Sequence, residues 1–159
     1  MNTNNFESLR IADQLRRAFS GDPWHGPALN ELLDGVTTRQ ALARPLPSAH
    51  SIWELVLHID LWASVAFDAT AGTAMPRLYG TEKDWPSVED RSLSAWTQTI
   101  EHLLATGERL AEAIGRFDDA RLKDIVPGRD YDFYYLFHGI VQHSLYHGGQ
   151  IAMLKRALA

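Results

Sequence analysis

LFHGIVQHSLYHGGQIAMLKRAL, residues 136–158, carries the pattern from which the fold is read. Its apolar seam runs Leu136, Ile140, His143, His147, Ile151, Leu154 and Leu158, in steps of four, three, four, four, three and four. That is the period of a helix packed on a bundle core. Two consecutive seats that normally hold Leu or Ile are given to His143 and His147. Buried imidazoles need partners for their ring nitrogens. At i and i+4 the two rings lie about 6 Å apart along the axis and about 40° around it, so both can turn toward one ion.

Working outward from this helix, which spans about Asp132 to Ala157, the chain holds three more long amphipathic segments separated by Gly and Pro clusters. The first covers about Phe6 to Phe19, with Leu9, Ile11, Leu15 and Phe19 on its apolar side, and stops at Ser20-Gly21-Asp22-Pro23. A shorter piece follows Pro27, a residue suited to a first helical turn, and runs through Leu29, Leu32 and Leu33 to Gly35. The two read either as one long helix broken in the middle or as a helix followed by a short one. Thr37 to His50, with Pro45 and Pro47, is a connector. Ser51-Ile52-Trp53-Glu54 has the form of a capping box and opens a helix to about Thr70, with Ile52, Leu55, Ile59, Trp62 and Ala66 facing inward. Residues 73–87 form an irregular passage long enough to suggest a functional role or a crossing of the bundle end, and they carry Trp85. The third long helix has the seam Leu93, Trp96, Ile100, Leu103, Gly107, Leu110, Ile114, Phe117. No strand pattern or repeat is found. The fold class read from the residues is all-α.

At 159 residues the chain is long enough to bury a real core, and one domain over residues 1–159 is expected. A net charge of −5 argues against an electrostatic grip on nucleic acid or on an anionic membrane surface. The absence of cysteine excludes disulfides, thiolate metal ligands and a cysteine nucleophile. Met1 to Glu7 is polar and lacks the apolar stretch of a signal peptide, and no apolar run approaches the roughly 20 residues of a membrane span. A cytoplasmic location is expected, with a small molecule rather than nucleic acid or membrane as partner.

Seven histidines in a chain of this length give about 0.3 His-x-x-x-His pairs by chance, so spacing alone is a weak signal. Placement on the seam strengthens it. His58, flanked by Leu55 and Trp62 on the second long helix, borders an inward face and is the candidate third ligand. Three neutral imidazoles bind a zinc-like divalent ion and leave a fourth position open, the arrangement of a catalytic rather than a purely structural site. The competing reading is three core histidines bonded to carbonyls, hydroxyls or water. His102 sits on a polar face, His50 in a loop, and His138 about 140° around the helix from His143. His25, in Trp24-His25-Gly26-Pro27, belongs either to a structural turn or to the pocket. Glu54, one turn before His58, is the first choice to orient an imidazole, followed by Gln150 and Tyr146; Tyr134 and Tyr135 are within range of the pocket mouth, but surface or core roles are expected for them. There is no His-Glu-x-x-His, no pair of Glu-x-x-His motifs and no Gly-rich phosphate loop.

Ser51-Ile52-Trp53-Glu54 followed by His58, and later His143-Ser-Leu-Tyr-His147-Gly-Gly-Gln150-Ile151, resemble the DinB/YfiT-like superfamily of damage-inducible, metal-dependent proteins. The resemblance covers nearly the whole chain; the broken first helix at Trp24-His25-Gly26-Pro27 departs from it. It implies a four-helix bundle of down-up-up-down order with a long crossover connection, often a homodimer. It also implies a histidine triad for zinc or nickel, which falls here on His58, His143 and His147. Some relatives are S-transferases or isomerases using a small cytosolic thiol as cosubstrate. The resemblance therefore implies a divalent-metal-dependent enzyme, a thiol-dependent S-transferase or a hydrolase. The alternative is a metal-binding stress-response protein without catalytic turnover. With no cysteine in the chain, a thiolate would have to come from the cosubstrate.

Overall fold

The computed structural model describes residues 6–159. The polar segment 1–5, and with it most of the N-terminal stretch read above, lies outside the described residues. Four long helices, α1 (Phe6–Ser20), α4 (Ile52–Thr70), α5 (Leu93–Gly115) and α6 (Phe133–Ala157), are joined by two short ones, α2 (Leu29–Leu33) and α3 (Thr38–Leu42). Two single turns of 3-10 helix sit at Glu82–Asp84 and Asp119–Arg121. Of the two readings open for the first segment, the structure has the second, a helix followed by a short helix. Among the described residues there is no strand, only an isolated bridge between Ile125 and Asp132. No helix is long and apolar enough to cross a membrane among these residues.

Cross-helix contacts give the directions. Arg16 pairs with Glu108 at 2.8 Å, and Asp119, just beyond α5, accepts from the Ser8 amide at 2.9 Å, so α1 and α5 are antiparallel. Trp53 donates to Thr99 at 3.2 Å, Asp60 meets His102 at 3.0 Å, and Arg109 lies over the Phe67 ring, so α4 and α5 run parallel. His58 faces His147, and Trp62 faces His143, so α4 and α6 are antiparallel. The order is down-up-up-down. Parallel neighbours in sequence cannot be joined by a tight turn, so residues 71–92 must travel the full length of the bundle to start α5 at the correct end.

Local chemistry sets the helix ends. Ser51 Oγ accepts from the Glu54 amide and the Glu54 carboxylate accepts from the Ser51 amide, the capping box expected for α4, and Gly72 at φ 93° ends that helix. The N-terminus of α1 is capped from a distance: the Asp119 carboxylate accepts from the amides of Glu7 and Ser8 and from Ser8 Oγ. Lys155 on α6 holds the carbonyls of Leu32 and Asp34 at the end of α2. The core takes Ile11, Leu15, Leu55, Ile59, Leu103, Leu110, Ile114 and Ile151, each contributing about 1.5–3 kcal/mol of apolar burial. At the α1–α5 crossing Gly107 lets the Phe19 ring lie directly on the helix backbone. Two seam assignments differ: Leu9 and Leu93 are mostly exposed, because each lies in the first turn of its helix, beyond the cover of its neighbours.

Candidate metal centre

His58 lies two turns into α4, and His143 and His147 lie on consecutive turns of α6. Antiparallel packing brings the three to one level. One ligand nitrogen from each ring falls within 4.8 Å of the others, and among the described residues no second group of this kind forms. His58 and His147 are buried, and His143 is half-buried.

The partners of the rings decide which nitrogens face the centre. His58 Nδ1 lies 2.6 Å from the Asp84 carbonyl oxygen, an acceptor only, so this nitrogen carries the proton and donates. Its Nε2 is left with a free lone pair, 3.0 Å from His143 Nε2. His147 Nδ1 likewise lies 2.9 Å from Gln150 Oε1, which leaves its Nε2 free. His143 Nδ1 is buried with no hydrogen-bond partner. Three Nε2 atoms therefore converge, two with lone pairs fixed by a partner behind the ring, which is how ligating histidines are held in one tautomer. A tetrahedral ion with Zn–N of about 2.0–2.1 Å wants nitrogens about 3.3 Å apart, a spacing bracketed by the 3.0 Å and 4.8 Å observed.

Electrostatics favour the neutral, ligating form of the rings. Burial, then the neighbouring His147 and His58, push His143 down to about 3. Burial also pulls His147 below the usual imidazole range, with the Gln150 bond opposing. No protons need be expelled from these two rings near neutral pH before a cation enters. The donor set and the partnerless His143 Nδ1 fit a borderline-soft divalent ion.

The crossover completes the site. The turn Glu82–Asp84 buries Asp84, whose Oδ1 accepts from Trp62 Nε1 at 2.9 Å and lies 3.4 Å from His58 Nδ1. Trp85 then stacks on His58, 3.9 Å between centroids and 6° from parallel, with His50 stacked on its other face at 3.4 Å. Of the two roles that its length suggested, the structure has the crossing of the bundle, and the passage packs on His58 and Trp62 as it does so. Neither Asp84 nor the stack was legible in the sequence; the one available signal was a Trp beside an acid within a Gly/Pro-rich stretch.

Several expectations about supporting residues change. Glu54 does not reach His58: its carboxylate is engaged by the Ser51 amide and by Arg44. Burial raises its proton affinity, but the two Ser51 bonds and Arg44 outweigh this and hold it below the usual range. The capping box and the imidazole competed for one carboxylate, and the cap won. Gln150 does hold His147, and Tyr146 presents its ring to His147 at 5.0 Å. Tyr135 lines the pocket; Tyr134 packs on His138 and Lys123 instead. His25 is exposed on the opposite side of α6 and does not line this pocket, and His102 pairs with Asp60 at the surface.

Above the three imidazoles opens a cavity of about 510 Å³, walled by Trp62, Tyr79, Trp85, Tyr131, Tyr135 and Tyr146. This size suits a small molecule. Three nitrogens at the floor of an apolar cleft leave the cleft side of any bound ion open to a ligand.

A family model described as the DinB superfamily matches residues 24–151, from the turn before α2 to four residues beyond His147. No curated protein and no solved structure matches the chain.

Proposed function

The chain belongs to the DinB superfamily, and from that premise we propose that His58, His143 and His147 together bind one divalent transition-metal ion, zinc in the first place and nickel in the second. We further propose that the protein is a metal-dependent enzyme, an S-transferase acting with a small thiol cosubstrate or a hydrolase. The observation that carries this reading is the convergence of one ring nitrogen from each of the three histidines within 4.8 Å at the floor of an open aromatic cavity. When bound, a divalent ion supplies the acidity that turns a coordinated water or thiol into a nucleophile near neutral pH.

The chain's own residues do the rest. The Asp84 carbonyl holds the proton of His58 on Nδ1, and Gln150 Oε1 does the same for His147, so both rings present lone pairs to the centre. Trp85, clamped between His50 and His58, keeps the His58 ring from rotating. The aromatic walls offer an apolar surface to the body of a substrate, while the open mouth admits the cosubstrate. The same reading takes residues 1–159 as one domain, working on a small molecule in the cytoplasm as a homodimer.

Elemental analysis of protein purified without a polyhistidine tag tests the centre: one equivalent of metal in wild type and a large loss in His143→Ala is the expected result. Unchanged metal content and affinity in that variant overturns the assignment. A screen of small thiols with electrophiles, esters and amides, with and without chelator, tests turnover. Saturable activity abolished by chelator and restored by zinc is expected; silence throughout leaves a metal-binding protein without catalysis.

A further inference from the structure

The aromatic cavity over the histidines does not stand alone. A second recess of about 380 Å³ lies beside it, sharing Trp62, Tyr79 and Tyr131 as common walls and adding Arg77, Arg129 and Asp130. The two compartments differ sharply in character. The first holds a single carboxylate, Asp84, which is buried and engaged by Trp62 and His58. The second carries two guanidinium groups against one carboxylate.

Neither arginine has an acidic partner among the described residues. Arg129 donates to the carbonyls of Pro76 and Gly128, which fix its position but leave its charge uncompensated. Arg77 makes no hydrogen bond or ion pair among the described residues. The two stand on separate loops that are bound to each other: the Met75 amide donates to the Pro127 carbonyl at 2.9 Å, and Gly128, at φ 80°, lets the second loop pass close to Met75. Two cations thus stand in the recess beside an apolar cleft whose floor is a metal-competent cluster, Arg129 tied to two carbonyls and Arg77 exposed and unpaired among the described residues. Six of the other ten arginines face acids, Arg10, Arg16, Arg17, Arg44, Arg116 and Arg121.

We propose that the site takes a two-ended ligand: a donor end on the three-histidine centre, an apolar body among the aromatic rings, and a carboxylate end on Arg77 and Arg129. The proposal rests on the metal centre described above and names the class of molecule it would accept. Planar guanidinium groups pair with carboxylates through paired N–H donors, whereas an ammonium or a neutral end gains nothing at that position. Asp130, in the same recess, further disfavours an anion less well placed than one seated on both arginines.

The test is a binding measurement on cobalt-loaded protein, read from the thiolate-to-cobalt absorption band. The probes are three homologous series of equal lengths: mercaptocarboxylates, mercaptoalcohols and aminothiols. At the best-fitting length the acid is expected to bind about two- to fivefold more tightly than the alcohol, within the range for charged pairs open to solvent. Arg77→Gln removes most of that advantage and leaves the affinity of the alcohol unchanged; Arg77→Glu shifts the preference to the aminothiol. Because Arg77 holds no other residue, its variants keep the fold, which circular dichroism checks. Equal affinity of the three series overturns the proposal. So does a preference for the acid that survives both in Arg77→Gln and in the double variant with Arg129→Gln. A protein that gives no cobalt spectrum at all refutes the metal centre instead, and the proposal falls with it.

Discussion

Removing the proton-binding capacity at position 143 should flatten the pH dependence of stability in the metal-free protein. His143 in the folded chain is held near 3 by burial and by its two neighbours, whereas an unfolded histidine titrates near 6.5. Between those values the unfolded chain binds a proton that the folded one refuses, so stability is full above about 6.5 and is lost as pH falls toward 3. From pH 7 to pH 5 this single ring costs about 2 kcal/mol. That is a sizeable share of the 5–15 kcal/mol by which domains are typically stable. The assay is urea unfolding with chelator present, at several pH values, for wild type and His143→Leu. The Leu side chain suits a seam position and does not titrate. The carboxylates held below their usual range, Glu54, Asp119 and Asp132, lose their contribution at lower pH and do so equally in both proteins. His50 is also pulled below the usual range by burial and cancels in the same way. His147 is pulled below the usual range chiefly by burial, and His143 is not among the neighbours that act on it, so its contribution cancels as well. Wild type should therefore lose about 2 kcal/mol more than the variant over this interval. Parallel curves would falsify the claim that the buried ring is forced neutral, and with it the electrostatic case for a ligand-ready cluster.

Three further outcomes follow from the geometry. Gln150→Ala should weaken zinc binding about ten- to a hundredfold, measured by competition with a chelating dye, because His147 loses the partner that fixes its tautomer; unchanged affinity would assign the Gln150 bond to helix packing alone. His25→Ala should leave metal content and affinity unchanged, since that ring lies on the far side of α6; a loss of metal there would contradict the triad. Gly107→Ala should destabilise despite the better helix propensity of alanine. The gain of up to about 1 kcal/mol is outweighed by the 1–3 kcal/mol of overpacking where the new methyl meets the Phe19 ring. A melting temperature lower by a few degrees is expected, and an unchanged or higher one would show that Phe19 moves aside freely.

What could be read from the chain, and what could not, separates by the range of the interaction that decides each feature. The α4 cap, the α6 seam and the i, i+4 histidine pair are set within a few residues of themselves, and each was legible in sequence order. His58 was also found, because its inward position follows from the same helical period, although its distance from the pair does not. Glu54 shows the limit of such reasoning. Its place one turn from His58 pointed to the imidazole, yet the capping box needs the same carboxylate and lies even nearer. The cap satisfies backbone amides that have no partner within the helix, so the nearer claim on the carboxylate is also the stronger one.

Asp84 and Trp85 fall on the other side of that division, and their obscurity has a topological cause. Two parallel helices, α4 and α5, must be joined by chain that travels the bundle's length, so residues 71–92 are committed to pass beside α4 whatever their composition. Nothing in the local sequence says which residue of such a strap will face inward. That is decided by where the Leu78–Thr81 and Thr81–Asp84 turns break the path, and by Met75 docking on the Pro127 carbonyl from a loop some fifty positions later. The same docking brings Arg77 and Arg129 together. The connection imposed by the fold therefore does more than close the bundle: it orients the His58 imidazole and places positive charge in the neighbouring recess. A substitution that loosens the strap, such as Gly128→Val at a backbone conformation with positive φ, should weaken metal and ligand binding together while α4 and α6 stay helical. Loss of one without the other would show that the strap does not couple the two sites.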